Sequence, residues 1–123
     1  MGKKNILVIE DEKPIRDILE CVLGERYNVI LADTTDKGKE IIERRTDISL
    51  IFSDVSVPKY ESGLKLMEDY LTRGPKQTVP VYMMSGAWSD EQEDKAKRMG
   101  VRDTIWKPFR PDEVIAIAEK HCQ

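Results

Sequence analysis

Four polar groupings stand immediately after apolar runs in this chain: Glu10-Asp11, Asp54, Ser85-Gly86 and Lys107-Pro108. Brought to one place, they would gather three carboxylates, a hydroxyl and a single ammonium. Like charges about 4 Å apart repel by roughly 4 kcal/mol per pair at an effective dielectric of about 20. Such a cluster therefore either retains a proton or admits a cation, and carboxylates with backbone carbonyls and waters form the hard oxygen environment that Mg²⁺ prefers. Lys107 offers only one charge, so a divalent ion is the better balance. A carboxylate in that setting is a nucleophile toward a phosphoryl group. The metal and Lys107 would neutralise charge on the transferred oxygens, and the Ser85 hydroxyl would donate a further hydrogen bond. The product would be an acyl phosphate on aspartate.

These residues can meet only if the chain builds an open parallel sheet, where a functional crevice lies beyond the carboxyl ends of the strands. The apolar pattern predicts this. Strand-length runs at Lys4-Ile9, Tyr27-Leu31, Ile48-Ser53, Val79-Met84 and Arg102-Trp106 alternate with helical spacings, and several are apolar throughout, as strands covered on both faces must be. Ile15, Ile18, Leu19 and Val22 mark one face of a first helix opened by Pro14 and stopped near Gly24. Ile41 and Ile42 mark a second, and Leu64, Met67 and Leu71 a third that ends before Gly74-Pro75. Ser89 opens a fourth, with Gln92 as the capping-box partner and Asp90 and Glu91 in the first turn. Pro111-Asp112-Glu113 opens a fifth that buries Val114, Ile117 and Ala118. The fourth helix has only Ala96 and Met99 as plain apolar anchors, so a light hold on the core is expected.

Read in order, Ile6-Leu7-Val8-Ile9-Glu10-Asp11-Glu12, Asp54 with Pro58 four residues on, Met84-Ser85-Gly86-Ala87 and Lys107-Pro108-Phe109 resemble the receiver domain of bacterial two-component response regulators. The likeness covers essentially the whole length. It implies an α/β, flavodoxin-like (βα)5 three-layer sandwich with five parallel strands in the order 2-1-3-4-5, as in chemotaxis receivers, with residues 1–123 as one receiver domain. It also implies that Asp54 accepts a phosphoryl group from a phosphohistidine on a sensor histidine kinase or histidine phosphotransfer protein. Asp11 and Asp54 would bind Mg²⁺ directly, Glu10 through water, and the Ser56 backbone carbonyl would complete the protein ligands. Lys107 would pair with the phosphoryl group across a cis Lys107-Pro108 bond. Ser85 would move toward the same group, beginning a shift of the fourth helix, fifth strand and fifth helix that is read by a downstream protein or output domain. The resemblance thus implies a regulatory phosphoacceptor and not an enzyme.

Four departures from the commonest family pattern stand out. Glu10 replaces aspartate, Ser85 replaces threonine, and the stretch Lys59-Tyr60-Glu61-Ser62 before Gly63 is one residue longer. Thr104 occupies the place of the switching tyrosine or phenylalanine. Trp106 shares the strand face of Thr104 by the period of two, so it either supplies the missing aromatic group or packs against a neighbouring helix, and packing is the expectation. Trp88 would either overhang the phosphorylation site or mark an exposed interface.

With 123 residues and a formal net charge of −3, the chain can close one core and is expected to carry no separate output domain. Its Lys and Arg residues are scattered, which argues against direct nucleic-acid or membrane contact. Cys21 and Cys122 lack metal-ligand spacing; a buried free thiol is expected at Cys21, and a cytoplasmic location fits both. His121 stands in the last turn of a helix, where a dipole contact suffices. Two rival chemistries fit less well. An aspartyl-phosphate phosphatase needs a second aspartate where Ser56 stands, and a mononucleotide-binding loop after the first strand would meet repulsion from Glu10-Asp11-Glu12. A degenerate receiver serving only as an interaction module is opposed by intact Asp11, Asp54 and Lys107.

Overall fold

A computed structural model describes residues 2–56, 62–73 and 79–123. Its elements run β1 (Asn5–Ile9), α1 (Lys13–Leu23), β2 (Asn28–Ala32), α2 (Thr35–Arg44), β3 (Ile48–Asp54), α3 (Ser62–Arg73), β4 (Val81–Ser85), α4 (Asp90–Met99), β5 (Asp103–Trp106) and α5 (Pro111–His121). The five strands pair in parallel in the order β2-β1-β3-β4-β5, the expected flavodoxin-like sheet. Pro58, Lys59, Tyr60 and Glu61, and the predicted stop at Gly74-Pro75, lie outside the described residues.

Strand alternation sorts the core into two layers. On one face Leu7, Ile9, Ile51 and Met83 pack with Leu64 and Met67 of α3 and Ala96 and Met99 of α4. On the other Ile6, Val8, Phe52 and Met84 pack with Leu19 and Leu23 of α1 and Val114 and Ala118 of α5. Helices thus cover both sides, as the unbroken apolar strands require. On the first of these faces α2 lies so close to the sheet that a Cβ on Gly38 would meet Ile9 Cδ1 at 2.8 Å.

Strand ends differ from expectation by one or two residues. The difference that matters is at β3, which runs on to Asp54 and pairs it with Met84, so this residue sits on the last rung of the ladder. The apolar stripe of α1 also sits differently. Leu19 and Leu23 form its buried axis, while Ile18 is 43% exposed. Cys21, two residues beyond Leu19 and so nearly opposite on a helix of 3.6 residues per turn, is exposed; the buried thiol is Cys122. In α5, Val114 and Ala118 are buried but Ile117 only half so.

The fourth helix has its capping box: Gln92 N–H donates to Ser89 Oγ at 3.0 Å, and Ser89 N–H to Gln92 Oε1 at 3.3 Å. Gly100 ends it at φ 104°, a left-handed position that favours glycine. Trp88 neither overhangs the crevice nor faces solvent. It is buried in the layer that holds Ala96 and Met99, and its Nε1–H donates to the Ile105 carbonyl at 2.9 Å. A helix poor in apolar anchors thus borrows one from the loop before it. Among the described residues no helix is long and apolar enough to cross a membrane.

Candidate functional site

Each of the four groupings is delivered by the end of a strand. Glu10 follows β1 directly, its N–H tied to the Ala32 carbonyl at 2.9 Å. Asp54 closes β3. Lys107 follows β5, its N–H donating to the Ser85 carbonyl at 2.9 Å, and the Lys107-Pro108 bond is cis as expected.

Glu10, Asp11, Glu12 and Asp54 each place a carboxylate oxygen within 4.8 Å of the others. The Glu10 side chain is fully buried and Lys107 is only 11% exposed. Lys107 Nζ hydrogen-bonds Glu10 Oε1 and lies 3.5 Å from both Asp54 Oδ2 and Glu12 Oε2. The Glu12 N–H donates to Glu10 Oε2 at 3.1 Å, and the Ser56 N–H donates to the Asp54 carboxylate.

One ammonium does not balance four carboxylates. Burial pushes Glu10 up to about 7, against the opposing bond from Lys107 and with help from the Asp54 charge. Burial also raises Asp54, opposed by the Lys107 charge and the Ser56 N–H. Burial alone would lower Lys107, but its bond to Glu10 and the charges of Asp54, Glu10 and Glu12 outweigh that and raise it. Burial thus favours the protonated form of Glu10 and Asp54, and the carboxylates around Lys107 favour its charged form. This donor set, all hard oxygens and short of cations, fits a divalent metal ion.

A stability prediction follows with a definite sign. Glu10 is raised in the fold from 4.5 to about 7, so its contribution is complete below the lower value and is lost as pH rises through the upper one. In chelator, melting should fall as pH goes from about 5 to about 8. Added Mg²⁺ should raise melting more at the alkaline end, where fewer protons compete. Because the lowered pKa of His121 acts in the opposite sense over part of this window, the decisive comparison is with Glu10→Gln, in which the fall should shrink; an unchanged pH dependence in that variant would refute the role given to Glu10.

The other expected residues lie at varying distance from this cluster. Ser85 is half-buried and adjoins it through its bond to Lys107, while its Oγ accepts from Ala87 N–H at 3.0 Å. Thr104 belongs to a different neighbourhood: its Oγ1 donates to Glu93 Oε2 of α4 at 3.3 Å. Trp106 is 50% exposed, so half of its surface is left to solvent. It lines a surface groove together with Thr104, Pro108, Glu113 and Ala116. His121 does more than sit at a helix end, because its Nε2 shares a 2.7 Å hydrogen bond with the Tyr82 hydroxyl. Burial, with Arg102 and Lys120 nearby, lowers its pKa.

Two residues of the site, Glu12 and Gly63, are not assigned to it by the sequence. Glu12 joins the cluster although it is exposed, and its place in an acidic triplet was the only hint. Gly63, at the start of α3, lies so near the end of β3 that a Cβ would fall 1.8 Å from the Asp54 carbonyl oxygen. A glycine two residues into a helix gives no sign of such proximity.

An acidic crevice with a lysine, at the carboxyl edge of a 2-1-3-4-5 parallel sheet, defines a receiver-type phosphoacceptor fold. The response regulator receiver domain family matches residues 6–119, and the chain belongs to that family. Among curated relatives, Regulatory protein VanR of Enterococcus faecium is 33% identical over 112 residues, spanning 90% of this chain and 46% of that protein. Among solved structures, the receiver domain of NtrX from Brucella abortus is 33% identical with a TM-score of 0.78, covering 94% of this chain and 95% of that one. A CheY-like receiver domain protein from Methanospirillum hungatei is 27% identical with a TM-score of 0.83, covering 97% and 93%. The chain spans about half of VanR and 26% of the NtrX-like regulators of Rickettsia.

Proposed function

We propose that Asp54 is the phosphoacceptor of a two-component relay and that Glu10, Asp11, Asp54 and the Ser56 carbonyl hold Mg²⁺. The observation that carries this reading is the Asp54 carboxylate on the last rung of β3, 3.5 Å from Lys107 Nζ and inside a cluster of four carboxylates. A carboxylate oxygen of Asp54 attacks phosphorus on the partner's phosphohistidine, an O–P bond forms, the N–P bond breaks, and the imidazole leaves with the electron pair. Bound Mg²⁺ would supply positive charge against the phosphoryl oxygens. Lys107 contributes a second positive charge, and the Ser56 N–H holds the attacking carboxylate in place. Ser85 Oγ can donate its proton to the phosphoryl group while still accepting from Ala87.

The role is regulatory: the protein takes part in its own phosphorylation and acts through a kinase or phosphotransfer protein upstream and a protein or output domain downstream. A formal net charge of −3 with dispersed cations supports no direct nucleic-acid contact and no membrane contact by this domain, and a cytoplasmic setting suits its two free thiols. The test is exposure to a small acyl phosphate, with Mg²⁺ or with chelator, read by intact mass. One added phosphoryl group only when Mg²⁺ is present is the expected result. An unlabelled protein would indicate a receiver kept solely for its surfaces.

The signal route follows from three contacts. Lys107 N–H holds Ser85, Trp88 holds β5 through Ile105, and Thr104 holds α4 through Glu93. Phosphorylation that draws on Ser85 and Lys107 therefore bears on α4, β5 and α5, biasing two arrangements by as much as it prefers one. Amide hydrogen exchange should change most across residues 87–101 and near Trp106, and little in α1 and α2. A response confined to the contacts of the phosphoryl group would mean a local docking site in place of a surface switch.

A further inference from the structure

The turn Glu10-Asp11-Glu12 carries three of the four clustered carboxylates, and the helix that follows bonds only its last carbonyl, Glu12 O, which accepts from the Ile15 and Arg16 N–H groups at 3.1 Å. Glu12 caps α1 without a side-chain hydrogen bond, and the first turn has no acidic residue. The other two carbonyls of the turn are taken by Arg16, half-buried and one turn into α1. Its Nη1 carries two hydrogens and reaches back to two carbonyls, Glu10 O at 3.0 Å and Asp11 O at 2.8 Å. The charges acting on Glu10 come from Asp54 and Lys107, while that of Arg16 is felt by Asp33 at the end of β2.

We infer that Arg16 is a positioning residue for the metal site, acting as a two-pronged donor to the backbone of the acidic turn and not as a counter-ion to its side chains. With both carbonyls fixed, the Glu10 side chain is directed inward to Lys107 and the Asp11 carboxylate is kept within the cluster. Without them, the turn must find the same arrangement at each binding event, and that ordering cost weakens the site. The inference rests on the reading of this cluster as a Mg²⁺ site.

Two measurements on the full chain test it: calorimetric titration with MgCl₂, and amide hydrogen exchange over residues 11–13 in chelator. In R16M, Mg²⁺ affinity should drop by about tenfold or more, the usual scale for residues that orient metal ligands, and exchange across the turn should quicken before any metal is added. R16Q is the second variant, used if R16M does not fold. Its shorter amide restores at most one of the two bonds, so against the parent Mg²⁺ affinity should still drop and exchange across the turn should still quicken. Parental affinity and parental exchange in whichever variant folds would overturn the inference. If the parent itself fails to bind Mg²⁺, the metal reading falls, and the exchange measurement still decides whether Arg16 holds the turn.

Discussion

After exposure to a small acyl phosphate and Mg²⁺, the Asp54→Asn variant should show no gain in mass, while the parent gains one phosphoryl group. The amide of asparagine lacks the charged oxygen that attacks phosphorus. The remaining carboxylates are poorly placed to substitute. Glu10 is fully buried with one oxygen bonded to Lys107 and the other to the Glu12 N–H, which leaves it little freedom to reach a donor. The substitution also removes one member of a cluster that repels itself. Metal-free melting at neutral pH should therefore be equal to the parent or higher, which separates loss of acceptance from loss of folding. Stoichiometric label persisting in Asp54→Asn would sink the assignment.

Among the described glycines, Gly63→Ala should be the most damaging substitution. The new Cβ would lie 1.8 Å from the Asp54 carbonyl oxygen, 3.0 Å from its carbon and 3.1 Å from the Val55 carbonyl oxygen. All three are backbone atoms, so no side chain can rotate to make room. The bond from Leu64 N–H to the Val55 carbonyl at 3.0 Å pins α3 against the strand end at this point. Relief requires moving the start of α3 or the end of β3, and β3 carries Asp54. Urea unfolding should show a loss near or beyond the upper end of the roughly 1–3 kcal/mol typical of overpacking. Phosphoryl acceptance should fall more than stability alone explains. Parental stability would mean that α3 and β3 slide past each other freely, contrary to the packing described.

The sheet and its chemistry were legible because both are written in local terms. Strands covered on both faces must be apolar throughout, and the residues closing them are polar or charged, so Glu10, Asp11, Asp54, Ser85 and Lys107 could be found without knowing which strands are neighbours. What escaped is what depends on three-dimensional approach. Trp88 looks like any loop tryptophan until the Ile105 carbonyl is seen beneath its indole. Cys21 and Ile18 belong to an apolar-looking stripe whose true axis, set by Leu19 and Leu23, leaves them at its edge and back. Thr104 was read as a missing aromatic group, but its hydroxyl makes a bond to Glu93 that a phenylalanine could not. Gly63 matters through an atom it lacks, and no pattern of side chains records that.

The two tryptophans sit on opposite sides of the solvent boundary, Trp88 at 7% exposure and Trp106 at 50%. The molecule thus contains two optical reporters that need no label. Emission from Trp88 should lie to the blue and resist a dissolved quencher such as iodide, while that from Trp106 should lie to the red and be extinguished readily. Trp88 watches the loop that follows Ser85, and Trp106 watches the groove beyond Thr104. A single quenching series can therefore follow, in one cuvette, whether a disturbance at the acidic edge stays beneath α4 or reaches the outer face of β5.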